Sequence, residues 1–113
     1  RDTFTIFAEM GVPVESIRLG GGGARSRVWR QIQADVYGRE VELVEADEGA
    51  AYCAALLAGV GGGAWGSVEE ACAASVRVRE RVAPEPETAR HMDERYKAFQ
   101  KLYPALRGIF ERD

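Results

Sequence analysis

The chain is poor in residues that bind metals or cross-link strands: one histidine, His91, and two cysteines, Cys53 and Cys72, in 113 residues. The cysteines lack C-x-x-C spacing, which excludes a zinc cluster and points to reduced thiols of a cytosolic kind. No lysine occurs from Arg1 to Arg90, so a phosphate loop of the G-x-x-x-x-G-K-[ST] type is excluded. Charge of one sign is not in excess either. A net charge of −3 gives no field that favours nucleic acid or an anionic membrane. The longest apolar run, residues 50–60, is too short to span a bilayer, and no signal peptide is visible. A cytoplasmic protein without nucleic-acid or membrane partners is the expectation.

What is present has the balance of a soluble α/β protein, with 46% hydrophobic and 29% charged residues. The chain begins at Arg1 rather than methionine, and Phe4, Phe7, Ala8 and Met10 already recur at helical spacing. That start predicts a piece cut from a longer polypeptide. A helix over residues 2–10 should stop at Gly11 and Pro13. Residues 16–19 form a short strand that runs into Gly20, Gly21, Gly22 and Gly23. In residues 26–37, Val28, Trp29, Ile32 and Val36 share one helical face, with Arg27, Arg30, Gln33 and Asp35 turned away. A second strand covers residues 40–45. The third helix, residues 49–60, carries Ala51, Ala54, Ala55 and Ala58, which suit a close backbone neighbour. Ser67 and Glu70 make a capping box. Residues 76–87, holding Pro84 and Pro86, are a connector with room for a short extended piece. Met92, Tyr96, Phe99, Tyr103, Leu106 and Phe110 trace a long amphipathic helix that Pro104 loosens near residues 100–103. This stripe is expected to pack back on the strand–helix unit.

Alternation of strands and helices implies parallel strands, with ligands held beyond their carboxyl ends. The four glycines sit at that place, between a strand and a helix. A dinucleotide fingerprint fails, because G-x-G-x-x-G would need glycine at Arg25 or Ser26. Glycines at a helix entry let backbone N–H groups approach a phosphate. Arg25, Arg27 and Arg30 at that entry oppose the helix dipole unless an anion is bound. From the residues alone, the turn fits either a phosphate cradle or a tight turn followed by a solvated basic face.

The stretch "LGGGGARSRVWRQIQADVYGREVELVEADEGAAYCAALLAGVG" resembles the C-terminal part of the FGGY carbohydrate kinases, the xylulose kinases most closely. "SVEEAC", the proline connector and "LYPAL" follow in the same order. The resemblance implies an actin-like, ribonuclease H-like domain of few parallel strands with flanking helices. Residues 2–83 would be the nucleotide-side unit and residues 84–113 the connector and terminal helix. It implies phosphoryl transfer from ATP, with Mg2+ bound outside these residues, to a sugar hydroxyl: D-xylulose to xylulose 5-phosphate.

By position, Gly21 and Gly22 match the pair that lies against the ATP phosphates, with Gly23 beside them. Ser26 matches an asparagine that contacts adenine in the glycerol kinase branch, and serine there marks xylulose kinase-like members. Gln31, Ala34 and Asp35 belong to the same signature and are assigned to packing. Cys53 replaces a glycine and is expected to be a buried structural thiol. Asp47 and Glu48 are read as helix caps and His91 as a surface or capping residue. The family's catalytic aspartate lies upstream, so these residues alone are expected to be non-catalytic and to self-associate, pairing edge to edge or burying orphaned helix faces. The other class left open is a non-catalytic actin-like module for nucleotide sensing or oligomerisation.

Overall fold

The computed structural model describes residues 1–45 and 49–110. The caps read from the sequence at Asp47 and Glu48 lie outside the described residues. Helix α1 (Asp2–Glu9) opens with Asp2 in its first turn, where a carboxylate complements the dipole. Strand β1 (Arg18–Leu19) is shorter than the expected 16–19. A 3-10 turn (Gly22–Arg25) leads into α2 (Arg27–Tyr37). Gly38 ends α2 at φ +64° with its N–H on the carbonyls of Ala34 and Asp35, a left-handed cap that glycine adopts without strain. Strand β2 (Val41–Val44), α3 (Gly49–Gly61), α4 (Val68–Ser75), β3 (Val78–Val82), α5 (Pro86–Phe99) and α6 (Leu102–Phe110) follow.

The sheet order is β1-β2-β3. β1 and β2 are parallel, with Arg18 opposite Glu42 and Leu19 opposite Leu43. The short extended piece allowed for in the 76–87 connector is the third strand, antiparallel to β2 and irregular between Leu43 and Val44. Its sequence, VRERV, hides the strand, since only its ends are apolar. Charge pairing compensates: Glu42 receives Arg18 at 3.4 Å and Arg81 at 3.1 Å across the open face. Opposite charges on facing strands are mutually supportive. The α/β class therefore holds, as a mixed sheet.

The core is small. Ile17, Ala34 and Val41 are buried, with Phe4, Val14, Leu19, Tyr37 and Val82 packed around them. Phe4 meets Tyr37 edge-on at 5.0 Å. Arg1 lies 4.3 Å over the Tyr96 ring, donates to Val36 O at 3.1 Å and pairs with Asp93. Lys97 first, and Arg1 second, hold the Asp93 carboxyl below its ordinary range. The radius of gyration is 18.3 Å, against about 13 Å for a compact chain of this length. Much helix surface is thus left unshared.

Three expectations are corrected by this shape. The first is the face of α2. Arg30, Ala34 and Asp35 are buried, whereas Val28 is 70% exposed. Polar groups can turn inward here because β3 and the start of α5 offer them partners. Second, Tyr96 is half-buried, but Phe99, Tyr103 and Leu106 face outward. α6 meets the end of α5 and carries no buried residue. Leu106→Ala is therefore expected to cost less than about 0.5 kcal/mol in urea denaturation, against about 2–5 kcal/mol for a buried leucine. Third, Cys53 is exposed rather than a buried thiol, and Ala51, Ala54, Ala55 and Ala58 are exposed with it. α3 packs on α4 instead, helped by Tyr52 Oη donating to Ser75 O at 2.7 Å.

Local signals fare better. Ser67 Oγ accepts from the Glu70 N–H at 3.1 Å. The Glu70 carboxylate accepts from Gly66 N at 2.8 Å, one residue earlier than a capping box places it. The terminal pattern breaks between α5 and α6 at residues 100–101, and Pro104 falls in the first turn of α6, where its missing N–H costs no bond.

Candidate functional site

Leu19 ends β1, and the chain turns at Gly20 and Gly21 into the 3-10 turn. Gly21 has φ +76° and ψ −178°, a conformation open in practice to glycine alone. A Cβ on Gly20, Gly21 or Gly22 would meet nothing within 4 Å. On Gly23 it would stand 3.2 Å from Trp29 Cδ1 and Nε1. The fold therefore accounts for Gly21 through its φ and for Gly23 through the indole. Among the described residues, no packing contact calls for glycine at Gly20 or Gly22. What their lack of side chains does is leave the backbone open to the outside.

The turn is built to present donors. Ala24 N bonds Gly21 O at 3.0 Å and Ser26 N bonds Gly23 O at 3.2 Å. The N–H groups of Gly22 and Gly23 begin the 3-10 turn and have no acceptor inside it. Ser26 caps α2, its Oγ accepting from Trp29 N at 3.3 Å. The four residues marked from the sequence, Gly21, Gly22, Gly23 and Ser26, thus form one continuous turn. It lies at the carboxyl end of β1, where parallel strands present ligands. A narrow crevice beside it is lined by Gly20, Arg25, Leu43, Val44 and Arg79 among others. Open glycine backbone, amides with no acceptor inside the turn and flanking guanidinium groups fit an anion such as a phosphate chain. Among the described residues, no group of three or more His, Cys, Asp or Glu side chains is placed to hold a metal.

Other sequence candidates are structural. Asp35 accepts from Glu85 N at 2.8 Å and Gln31 Nε2 at 3.0 Å, and Gln31 also donates to Ala83 O at 3.0 Å. These bonds fasten the glycine-turn helix to the start of α5. Arg30 Nη1 donates to Glu80 on β3 at 3.0 Å. His91 is exposed and accepts from Arg95 at 3.1 Å. Glu69 is held below its ordinary range by its own backbone N–H and then by Ser67, as a first-turn carboxylate should be. At the turn itself, the sequence reading also misplaced Trp29. It is half-exposed beside Gly23 rather than packed in the core. No periodicity signal separates those two fates.

Comparison with known proteins matches the same stretch. The FGGY family of carbohydrate kinases, C-terminal domain, matches residues 1–62. The xylulose kinase of Staphylococcus epidermidis is 31% identical over 108 residues, 96% of this chain and 22% of that protein. The autoinducer-2 kinase of Salmonella paratyphi B is 33% identical over 94% of this chain and 20% of its own length. The L-xylulose/3-keto-L-gulonate kinase of Escherichia coli K12 is 33% identical over 88% of this chain and 20% of its own length. Among solved structures, the xylulose kinase of Rhodospirillum rubrum superposes with a TM-score of 0.79 and 34% identity. That match covers 98% of this chain and 22% of the other. The chain thus spans about a fifth of the length of these relatives. Its sheet and helices form part of an actin-like fold.

Proposed function

This chain belongs to the FGGY family of carbohydrate kinases, and we propose that it is the ATP-side portion of a kinase that phosphorylates D-xylulose. The observation that carries the reading is the glycine turn: a strand end, open Gly20 and Gly22, amides with no acceptor inside the turn and a capped helix, all within the family-matched residues. In this reading the amides of Gly22 and Gly23 hold the phosphate chain of ATP, with Gly21 setting the turn and Ser26 fixing the helix behind it. Mg2+ accompanies the nucleotide and neutralises charge as the phosphoryl group moves, held by groups outside these residues. Transfer of this kind depends on positioning and charge stabilisation by parts spread over a cleft. Residues 2–83 form the nucleotide-side unit, and residues 84–113 the connector and terminal helix. The base that takes the sugar hydroxyl proton lies in the rest of the polypeptide. Supply of ATP places the enzyme in the cytoplasm.

D-Xylulose is preferred because xylulose kinases recur among the similar proteins, by sequence and by structure. A coupled ADP-release assay on the full-length polypeptide, with D-xylulose, L-xylulose and the signal autoinducer-2 as acceptors, tests this. The highest kcat/KM is expected for D-xylulose. Preference for another acceptor replaces the sugar and keeps the kinase, whereas no ADP release with any acceptor favours a nucleotide-sensing or oligomerisation module. The isolated chain is further proposed to self-associate through α6, where Leu102, Tyr103, Ile109 and Phe110 are each more than half exposed. Sedimentation across a concentration series should show a mass that rises. A constant monomer mass removes that proposal.

A further inference from the structure

Trp29 combines features that the fold alone leaves unused. It is half exposed, although burying so large an aromatic surface would be strongly favourable. Its position is not loose. The backbone N–H is tied to Ser26 Oγ, and the indole edge lies so close to Gly23 that a Cβ there would stand 3.2 Å from Cδ1 and Nε1. A side chain at Gly23 would make the indole give way by a few tenths of an ångström. Val28 beside it, 70% exposed, extends the apolar surface. A flat indole thereby stands at the margin of a turn whose amides suit phosphates. In a nucleotide the phosphates and a flat heteroaromatic ring are joined through one ribose. Aromatic side chains stack on any nucleobase, since every base has a π-face.

We propose that Trp29 is a nucleobase-binding residue: its exposed indole stacks on the base of the nucleoside di- or triphosphate whose phosphates lie on the Gly22 and Gly23 amides. The inference rests on the phosphate-cradle reading and adds to it the residue that distinguishes a nucleotide from a bare polyphosphate. Dissociation constants for ADP and for inorganic tripolyphosphate, measured by calorimetry on the full-length enzyme, test the two parts separately. Trp29→Ala should weaken ADP about tenfold and leave tripolyphosphate within about twofold. Trp29→Phe should restore most of the ADP affinity, and Trp29→Leu, apolar but without a π-face, should not. Unchanged ADP affinity in Trp29→Ala overturns the assignment. So does an equal loss for both ligands, which marks a residue that only packs the turn. If Trp29→Ala does not fold, the phenylalanine and leucine variants carry the same comparison. A wild-type enzyme that binds neither ligand removes the cradle and the base contact with it. One that binds both, with the Trp29 variants indifferent, removes the base contact alone.

Discussion

Gly22→Val in the full-length enzyme is expected to raise the apparent KM for ATP about tenfold or more, the equivalent of about 1.4 kcal/mol, with little change in the KM for the sugar. The position makes this a clean test. A Cβ on Gly22 meets nothing within 4 Å, and positive φ falls on Gly21, not Gly22. A Cβ there therefore needs neither a clash with the described residues nor a left-handed backbone. The valine methyl groups instead occupy the space outside the Gly22 and Gly23 amides, where the phosphates are proposed to lie. Gly21→Ala would be a poorer choice, because φ +76° strains any L side chain and mixes a folding defect with a binding one. Steady-state kinetics with each substrate varied in turn give the answer. Equal rises in both KM values remove the assignment of the turn to ATP, since loss confined to one substrate's binding is what the contact predicts.

Glu80→Ala is expected to destabilise the chain by about 2–3 kcal/mol, read by urea denaturation. The Arg30 side chain is only 7% exposed and pairs with Glu80 at 3.0 Å. Its Nε has no partner among the described residues. Removing Glu80 strands a buried guanidinium, and that desolvation loss drives the effect rather than the attraction itself. Glu80 is 43% exposed, so water reaches one side of the pair and keeps the loss near the lower end. The double variant Arg30→Met/Glu80→Leu should return to within about 1 kcal/mol of the parent, because it removes the buried charge along with its partner. A single-variant loss below about 0.5 kcal/mol would mean the pair behaves as a surface bridge. A double variant as weak as the single one would trace the loss to packing.

The consequence reaches the proposed site. Arg30 and Asp35 sit on the helix that the glycine turn opens, and their partners, Glu80 and Glu85, lie on β3 and at the start of α5. The helix behind the turn is thus held in place by residues some 50 positions further along the chain. Loosening either tie should move the amides of Gly22 and Gly23 relative to β1, since close-packed elements transmit small shifts.

The sequence by itself determined the local punctuation of this protein. Gly11 follows the first helix at positive φ, α2 ends at Gly38, Ser67 caps α4, and the terminal pattern breaks before Pro104. Each of these is decided within about four residues by backbone dihedrals and cap bonds, so the letters carry it. Tertiary structure alone decided which side of α2 is inside. Arg30 and Asp35 are buried because partners 50 residues away meet them, and no helical period encodes a distant partner. The same cause made a strand of VRERV, whose charges pair across the sheet. It also left Trp29 beside Gly23 and the α6 stripe facing outward. Amphipathic spacing shows that a face is apolar; only the arrangement of the other elements decides whether anything covers it.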